Sequence, residues 1–222
     1  MFKLNDAVDI NNARNTFKHS FDMQKKKVLI CGGTGCVAGG SLKIYAEIIR
    51  LLEIAGVEVS VELKAETENR ENVIGVKKSG CHGFCEMGPL VRIEPKGWLY
   101  TKVKFEDCAE IVEKSLIGDE FIERLAYKSN GVTFAKQEEI PFYAKQTRLV
   151  LEHCGHIDAT SIKEYLAIGG YKALQKSLFE MSPSDVVDTI SDSNLRGRGG
   201  GGFPTGRKWS QVAKQSDPIK YV

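Results

Sequence analysis

Hydrophobic residues divide the first part of the chain into short strands and amphipathic helices. Residues 5–24 have a polar, weakly amphipathic pattern that predicts a helix, and the apolar run 27–30 follows as a short strand. Between residues 41 and 55, apolar residues recur at helical spacing; they are Leu42, Tyr45, Ile49 and Leu52. Gly56 is placed to end that helix, and residues 57–63 then alternate as a half-buried strand does.

A second group of strands follows a polar stretch at residues 64–72. Residues 73–76 predict a strand, and residues 90–93 and 98–103 predict a hairpin. Residues 105–116 complete this part as an amphipathic helix, whose apolar face comprises Phe105, Cys108, Ala109, Val112 and Leu116. The order of these elements predicts a compact α/β domain of about one hundred residues.

The second half of the chain has a mainly helical pattern, beyond a mixed stretch at residues 118–158. Ser161 and Glu164 form a predicted capping box, in which the serine accepts from a helix N–H and the glutamate reaches back. Gly169 and Gly170 interrupt that helix. The pair Ser182–Pro183 starts another helix, with proline at a permitted first-turn position, and this helix leads into a glycine-rich segment.

Composition and charge are those of an ordinary globular protein. The 222 residues are 42% hydrophobic and 27% charged, with a net charge of +2 that favours neither nucleic acid nor acidic lipid. No stretch reaches the roughly 18 apolar residues of a membrane span, and the N-terminus has no apolar signal core. We therefore expect a cytoplasmic location, where clustered cysteines indicate metal ligands or redox groups.

Four cysteines stand as two close pairs, Cys31-x4-Cys36 and Cys81-x3-Cys85. Each pair lies in a glycine-rich loop after a predicted strand, so we expect one end of the sheet to bring the four thiols together. Four thiolates form a site for an iron–sulfur cluster or for zinc. Structural zinc favours C-x2-C knuckles, and a thioredoxin dithiol needs C-x-x-C; neither spacing occurs here. Iron–sulfur is the favoured interpretation, with zinc and unrelated buried cysteines as alternatives.

Two further cysteines and one glycine pattern have simpler interpretations. Cys108 lies on an apolar helix face and is expected in the core. Cys154, in His153-Cys-Gly-His156, resembles a metal ligand set, but adjacent ligands rarely close a site, and a structural role is expected. Residues 33–38 match the dinucleotide pattern G-x-G-x-x-A, with Glu58 about twenty residues further on. The cysteines within that loop argue against a nucleotide there.

The second distinctive segment, residues 195–209, is rich in glycine and cations. Six of the ten residues from Gly197 to Gly206 are glycine, and the cations are Arg196, Arg198, Arg207 and Lys208. Glycine lets backbone amides approach an anion closely, so the segment predicts a phosphate-bearing ligand. Phe203 and Trp209 offer flat surfaces to a base or a flavin ring.

Three alternatives to a phosphate site fit this segment less well. An RGG-type RNA-binding tract normally has several copies, and here there is one. A flexible linker does not explain Phe-Pro-Thr and Lys-Trp. A Rossmann fingerprint matches at Gly197, Gly199 and Gly202, but a helix precedes it where a strand is required.

The two cysteine pairs, with the loop from Ser79 to Cys85, resemble the thioredoxin-like 2Fe–2S ferredoxin family over residues 25–118 or so. The resemblance implies a thioredoxin-like fold without dithiol chemistry. It also implies that four thiolates ligate the cluster, those of Cys31, Cys36, Cys81 and Cys85.

The glycine-rich segment resembles the signature of the flavin- and NADH-binding subunit of complex I and of NAD-linked hydrogenases and formate dehydrogenases. That signature reads Leu-Arg-Gly-Arg-Gly-Gly-Ala-Gly-Phe-Pro-Thr-Gly, and this chain departs from it at Gly201. The resemblance implies that Phe203 stacks and that Lys208 lies near the flavin. The implied cofactor-binding residues are Gly197, Arg198, Gly199, Gly200, Gly201, Gly202, Phe203, Pro204, Thr205, Gly206 and Lys208.

Together the resemblances imply an α/β fold with a thioredoxin-like 2Fe–2S ferredoxin domain at residues 1–118. Residues 119–222 are a linker and the mainly helical, truncated start of a flavin/NADH-binding domain. This combination is similar to the β subunit of NAD(P)-linked iron hydrogenases, many of which bifurcate electrons. It implies an electron-transfer subunit of an FMN-dependent NADH oxidoreductase, with a 2Fe–2S cluster, FMN and NAD(H) as cofactors and other complex subunits as partners.

The resemblance also implies that most FMN contacts and a 4Fe–4S site lie beyond residue 222, so we expect either a truncated piece or a chain that a second chain completes, inactive alone in both cases. The alternative function is a ferredoxin-like electron carrier or docking module without catalysis of its own.

Overall fold

The computed structural model describes residues 6–24, 26–65, 73–217 and 219. The helices are α1 Ala7–Met23, α2 Thr34–Ala38, α3 Ser41–Ile54, α4 Cys108–Glu110 (continued by a π-helical stretch, Ile111–Ile117), α5 Pro141–Ala144, α6 Ile162–Ala167, α7 Lys172–Phe179, α8 Pro183–Asp192 and α9 Thr205–Ala213. The strands are β1 Lys26–Cys31, β2 Glu58–Ser60, β3 Val73–Ser79, β4 Val91–Glu94, β5 Trp98–Tyr100, β6 Tyr127–Ser129 and β7 Val132–Phe134. Short 3-10 turns occur at Cys85–Met87, Phe105–Asp107, Glu123–Leu125 and Gln137–Glu139.

The chain divides into two compact units. One comprises Asn12–Gly169, and the other comprises Met1–Asn11 with Gly170–Val222. Residues beyond 118 up to Gly169 therefore belong to the unit that contains the main sheet. The predicted boundary after residue 118 separates two functional domains, whereas these units are defined by packing alone. The predicted boundary stays a prediction.

The main sheet of the first unit has five strands in the order β2-β3-β1-β4-β5. β1 and β3 are parallel neighbours, whereas β4 and β5 form an antiparallel hairpin that pairs with β1. Without the short edge strand β2, this is a β-α-β unit followed by a hairpin and a helix. That arrangement defines a thioredoxin-like α/β fold, as the sequence predicts.

One face of the sheet packs against α3 and against the helical segment that begins at α4. Val28 and Ile30 of β1 point to this side and are buried with Ile44, Ile48 and Leu52 of α3. Cys108 is fully buried in the same cluster, which confirms its predicted core position. Alternation along β1 thus directs every second residue into this core.

The opposite face of the sheet holds buried lysines. Lys77 of β3 is 1% exposed, and its Nζ lies 3.0 Å from the carboxylate of Glu164 in α6. The same ammonium donates to the carbonyl oxygen of Val61 at 3.0 Å. This ion pair ties α6 to the sheet, and removing one partner of such a buried pair typically costs several kcal/mol.

The segment after residue 118 continues the sheet of the first unit at its β5 edge. Leu99 N donates to the carbonyl of Ala135 at 2.9 Å, and Thr101 N donates to that of Leu125 at 2.8 Å. At the far side, Ser79 forms an isolated bridge with Asp158. Residues 119–158, which the sequence pattern leaves mixed, therefore cover a sheet edge and the end of β3.

Strand boundaries differ from the predicted ones for local reasons. The predicted strand 57–63 pairs only at Glu58–Ser60, and the polar stretch 64–72 lies mostly outside the described residues. The strand predicted at 73–76 runs on to Ser79, because Glu164 neutralises the buried Lys77. The strand predicted at 98–103 ends at Tyr100, before Lys102 adopts a positive φ of 50°.

Two predicted helix faces are partly wrong. In α3 the buried residues are Ser41, Ile44, Ile48 and Leu52, whereas Leu42 is 46% exposed. In the helix predicted at 105–116, Phe105 and Ala109 are exposed, and the buried residues include Cys108, Ile111, Val112, Ser115 and Leu116. Phe105 lies in a 3-10 turn before the helix, and the buried residues keep ordinary helical spacing from Cys108, so a face counted from Phe105 is misplaced.

The two predicted helix starts differ in their capping. Ser161 Oγ accepts from Glu164 N at 3.2 Å, but the Glu164 carboxylate accepts from Asp158 N at 2.7 Å and pairs with Lys77. The reciprocal half of the predicted box is therefore wrong. At α8, Ser182 and Asp185 do form a complete capping box. Across the described residues, none of the helices combines the length and apolarity needed to cross a membrane.

We expect Lys27→Met to raise the free energy of unfolding at neutral pH. Lys27 is 9% exposed, and its ammonium lies 3.4 Å from the Phe21 ring centroid. Burial, and to a lesser extent the nearby charge of Lys77, lowers the pKa of Lys27 from 10.5 to about 8. The carboxylates of Glu164, Glu94 and Asp22 raise it, but by less than burial lowers it. Replacing this ammonium should therefore stabilise the fold by about 1–3 kcal/mol in denaturant titration.

The sign of the pH dependence follows from that lowered pKa. The cost of burying charged Lys27 is fully present below about pH 8 and is relieved as pH rises toward 10.5. The stability difference between variant and wild type should shrink across that window. Lys43→Met, at an exposed position of α3, is the control and should show no such window; a pH-independent gain in Lys27→Met would contradict the assignment.

Candidate iron–sulfur centre and glycine-rich loop

The four cysteines of the two predicted pairs come together at one end of the main sheet. β1 ends at Cys31 and β3 ends at Ser79, and these two residues stand opposite each other in the parallel register. Cys36 lies in α2, one short loop beyond β1, and Cys85 opens the 3-10 turn beyond β3. Parallel pairing thus delivers both cysteine loops to the same edge, as the sequence predicts.

The sulfur atoms of the quartet approach one another in pairs. Cys81 Sγ and Cys85 Sγ are 4.0 Å apart, and the Cys31 thiol interacts with those of Cys36 and Cys81. The interaction with Cys36 lowers the pKa of Cys31 to about 6; the same interaction, with burial, raises the pKa of Cys36. One thiolate of this pair therefore forms readily, whereas a second requires a positive charge such as iron supplies.

Backbone amides point at these sulfur atoms. Cys31 Sγ accepts from the amides of His82 and Gly33, and Cys81 Sγ accepts from Gly83 N at 3.3 Å. N–H donors favour the thiolate over the thiol. They also stabilise the negative charge of an iron–sulfur centre.

Two glycines allow the loops to approach each other. A Cβ on Gly33 would lie 2.9 Å from Cys81 Sγ, and a Cβ on Gly88 would lie 2.6 Å from Cys36 Sγ. No side chain fits at such distances, so glycine is required at both positions. Gly33 therefore serves loop contact in the structure, which removes support from the dinucleotide interpretation of residues 33–38.

The second cysteine loop is anchored by a buried histidine. His82 is fully buried; its Nε2 lies 2.8 Å from Ser79 Oγ and its Nδ1 lies 3.1 Å from Gln137 Oε1. Burial lowers the pKa of His82 to about 4, so the ring is neutral; its Nδ1 donates to Gln137 Oε1, and its Nε2 faces the Ser79 hydroxyl, whose Oγ also lies 3.2 Å from Ile30 O. Arg148 then donates to the carbonyl oxygen of His82 at 2.8 Å. These bonds fix the backbone between Cys81 and Cys85.

The donor set fits a 2Fe–2S cluster, which takes two thiolates at each of two irons. Cys31 and Cys36 are each 1% exposed, whereas Cys81 and Cys85 are exposed. Over the ranges 6–24, 26–65 and 73–217, no three His, Cys, Asp or Glu side chains are close enough to hold one metal ion. The ligand roles of the four cysteines stay a prediction, carried by donor chemistry, sulfur contacts and amide donors.

The remaining cysteine, Cys154, is partly buried beside the second cysteine loop. Its Sγ lies 3.7 Å from the position that a Cβ on Gly80 would take. Nearby, Gly155 packs against the His82 ring, where a Cβ would come within 3.0 Å. These contacts agree with a structural role for residues 153–156.

The glycine-rich segment forms a closed loop between α8 and α9 in the second unit. Arg196 bridges to Pro204, Gly197 N donates to Phe203 O at 2.9 Å, and Thr205 N donates to Leu195 O at 2.9 Å. Residues between these closing bonds are exposed except for the partly buried Gly202. The predicted residues from Gly197 to Gly206 are thus brought together as one loop at the N-terminus of a nine-residue helix.

Cations surround this loop on the α9 side. The Arg207 guanidinium and the Lys208 ammonium lie 5.8 and 5.9 Å from the Phe203 ring centroid. A groove of about 430 Å³ between α8 and α9 is lined by Arg196, Arg207 and Lys214 among others. Free amides in the first helical turn and nearby cations suit an anion. Lys208 lies beside Phe203 of the loop, and Arg198 is an exposed loop residue; their contact with a cofactor stays a prediction.

Known proteins resemble parts of this chain. It is 47% identical over 78 residues to NADP-reducing hydrogenase subunit HndC of Solidesulfovibrio fructosivorans, covering 35% of this chain and 16% of that one. It is 52% identical over 68 residues to an NADH-quinone oxidoreductase F-type subunit of Rhizobium meliloti, covering 31% and 15% respectively. The chain spans less than a fifth of the length of these relatives. No protein-family profile matches it.

Two solved structures are also similar. A thioredoxin-like [2Fe-2S] ferredoxin from Aquifex aeolicus is 27% identical, with a TM-score of 0.36, over 50% of this chain and 96% of that one. An NAD+-reducing [NiFe]-hydrogenase is 14% identical, also with a TM-score of 0.36, over 96% of this chain and 35% of that one.

Residues without a sequence signal also shape the candidate centre. Gln137, Tyr143 and Arg148 surround the second cysteine loop, yet they lie more than fifty residues after Cys81 in the mixed stretch. The sequence places His82 in the cysteine motif but does not reveal its partners. An alternating or helical period cannot identify such contacts, because they depend on how the later segment folds back.

We expect Cys81→Ser to remove or strongly perturb the visible sulfur-to-iron charge-transfer absorption of the anaerobically prepared chain. A serine oxygen replaces one of the four thiolates, whereas the fold around the buried Cys31 is left intact. Cys154→Ser is the control, because that cysteine lies near the loop but outside the quartet. Wild-type protein that contains one zinc per chain and no iron would contradict the assignment.

Proposed function

We propose that this chain is an electron-transfer subunit, or the N-terminal piece of one, of an FMN-dependent NADH oxidoreductase complex. The observation that carries the proposal is the thiol quartet at the adjoining ends of β1 and β3, with amides aimed at its sulfurs. Such a site suits a group that changes charge by one electron and stays in place. The partial relatives, hydrogenase subunit HndC and the F-type subunit of NADH-quinone oxidoreductase, support the same class of enzyme.

The proposed roles within the centre follow from burial and hydrogen bonding. Cys31, Cys36, Cys81 and Cys85 hold the cluster, which would supply one-electron chemistry beside the hydride chemistry of FMN. Cys31 and Cys36 exclude water from the inner side, whereas the exposed Cys81 and Cys85 leave the outer side accessible. His82 keeps the outer loop in place through Ser79 and Gln137.

The loop from Gly197 to Gly206 is the proposed start of the FMN and NAD(H) site. Its open backbone and the cations Arg198 and Lys208 suit a dinucleotide phosphate. In functional terms, residues 1–118 form the ferredoxin-like domain, and residues 119–222 form a linker with the start of the flavin/NADH-binding domain. The proposed partners are NADH and the other subunits of a cytoplasmic NADH dehydrogenase or hydrogenase complex, in which bifurcation is one mode of use.

A ferredoxin-like carrier or docking module without catalysis is the second candidate. One observation favours it, because the whole thiol quartet lies within the single compact unit Asn12–Gly169. Anaerobic purification with iron, sulfide and flavin all quantified separates the two functions. Flavin in the complete native protein supports the oxidoreductase, and a cluster with no flavin supports the carrier.

We expect the 222-residue chain to bind NADH weakly or not at all. Ordering six glycines costs much backbone entropy, and the neighbouring cations repel one another before an anion arrives. Trp209 in α9 is 44% exposed and adjacent to Lys208, so its fluorescence is a local reporter. Titration should give no saturable change, whereas tight stoichiometric binding would show that the loop is a complete site.

The same titration in the complete complex tests the loop residues individually. Lys208→Gln should weaken NADH or FMN binding, because it removes a cation near the loop. Lys176→Gln, at an exposed position of α7 outside the α8–α9 groove, is the matched control and should bind normally. Equal binding by both variants would remove Lys208 from the proposed site.

A further inference from the structure

The hydroxyl group of Tyr143 is buried beside the thiol quartet without a partner. Tyr143 is 7% exposed, and its oxygen accepts and donates no hydrogen bond among the described residues. It packs in one apolar cluster with Cys31 and Cys36. A buried hydroxyl that lacks a partner destabilises the fold, so its position calls for an explanation.

The tyrosine is held firmly where it lies. Its ring meets Phe84 edge-to-face at 5.6 Å between centroids, and Phe84 lies between the two outer cysteines. The Phe142 ring stacks on the Phe84 ring, with 4.6 Å between the ring centroids. The Arg148 guanidinium lies 5.0 Å from the Tyr143 ring centroid. Because Arg148 also donates to His82 O, the tyrosine and the second cysteine loop are fixed to each other.

The electrostatics favour the protonated form of the hydroxyl. Burial raises the pKa of Tyr143, Arg148 lowers it, and the negative charges of Cys31 and Cys81 raise it further. The phenol therefore keeps its proton near neutral pH, and the packing places it in the apolar cluster of Cys31 and Cys36. A protonated phenol next to negatively charged sulfur is a hydrogen-bond donor with acceptors at hand.

We propose that Tyr143 is an additional cluster-binding residue, whose O–H donates to a sulfur atom of the iron–sulfur centre on the inner side, where Cys31 and Cys36 lie. The inference rests on the proposed function, in which the four thiols hold a cluster. Its consequence is electronic: a hydrogen bond to sulfur stabilises the more negative, reduced state and raises the reduction potential. Tyr143 lies in α5, outside the cysteine motif and outside residues 25–118, so the later segment helps to set the potential of the centre.

The test is the reduction potential of the reconstituted 222-residue chain with Tyr143→Phe, which removes the hydroxyl and keeps the ring. We expect the reduction equilibrium to become at least threefold less favourable, a shift of about 30 mV to lower potential at 59 mV per tenfold for one electron. Tyr127→Phe is the matched control. Tyr127 also contacts Phe84, at 5.3 Å, and its replacement should leave the potential unchanged.

A second measurement detects the hydrogen bond directly, so its interpretation does not depend on the stability of the variant. Exchange of H2O for D2O should shift the iron–sulfur stretching bands in the resonance Raman spectrum, and part of that shift should disappear in Tyr143→Phe. A cluster whose potential and isotope shift match wild type in Tyr143→Phe would overturn this inference alone. A wild-type chain without iron and sulfide would overturn the proposed function first, and the inference with it.

Discussion

The candidate centre depends on one pairing, the parallel register of β1 with β3. In that register Cys31 stands opposite Ser79, so the loop that leaves each strand begins at the same edge. A slip of one residue would turn each strand's side chains to the opposite face, taking Val28 and Ile30 out of the α3 core. The packing that buries this core therefore also fixes where the four thiols meet, and the stability of the sheet and the geometry of the site are set together.

The segment after residue 118 is part of the surroundings of the centre. Gln137 holds the His82 ring, and Arg148 holds the His82 carbonyl. Together with Tyr143 they enclose the second cysteine loop from a part of the chain that has no cysteine ligand. Buried hydrogen bonds are stronger in low dielectric, and incomplete networks are costly there. A fragment that ended at residue 118 would lose these partners and leave His82 exposed or unpaired.

Sequence patterns predict the elements whose periods are regular and local. β1, α3, the β4–β5 hairpin and the meeting of the cysteine loops all follow from short-range spacing in the first part of the chain. The misplaced features depend on distant contacts: β3 extends through Lys77 because Glu164, far away in sequence, lies 3.0 Å from it in space. Phe105 and Ala109 are predicted on the wrong face because the helix begins at Cys108, after a 3-10 turn that contains Phe105. Tyr143 has no sequence signal, because its hydroxyl is distinguished only by being buried without a partner beside Cys31 and Cys36.

The two sides of the thiol quartet differ in a way that suits electron transfer. Cys31 and Cys36 lie in the apolar interior, where charge is poorly screened, while Cys81 and Cys85 face outward. On the outer side, amides from Gly83 and its neighbours already point at sulfur, and the neutral His82 keeps that loop in position. Donors that are oriented before the charge changes need no reorganisation when it does. If the quartet holds the proposed cluster, a rigid, hydrogen-bonded outer loop would let its charge change with little movement of the protein, whereas a mobile loop would add reorganisation to each change.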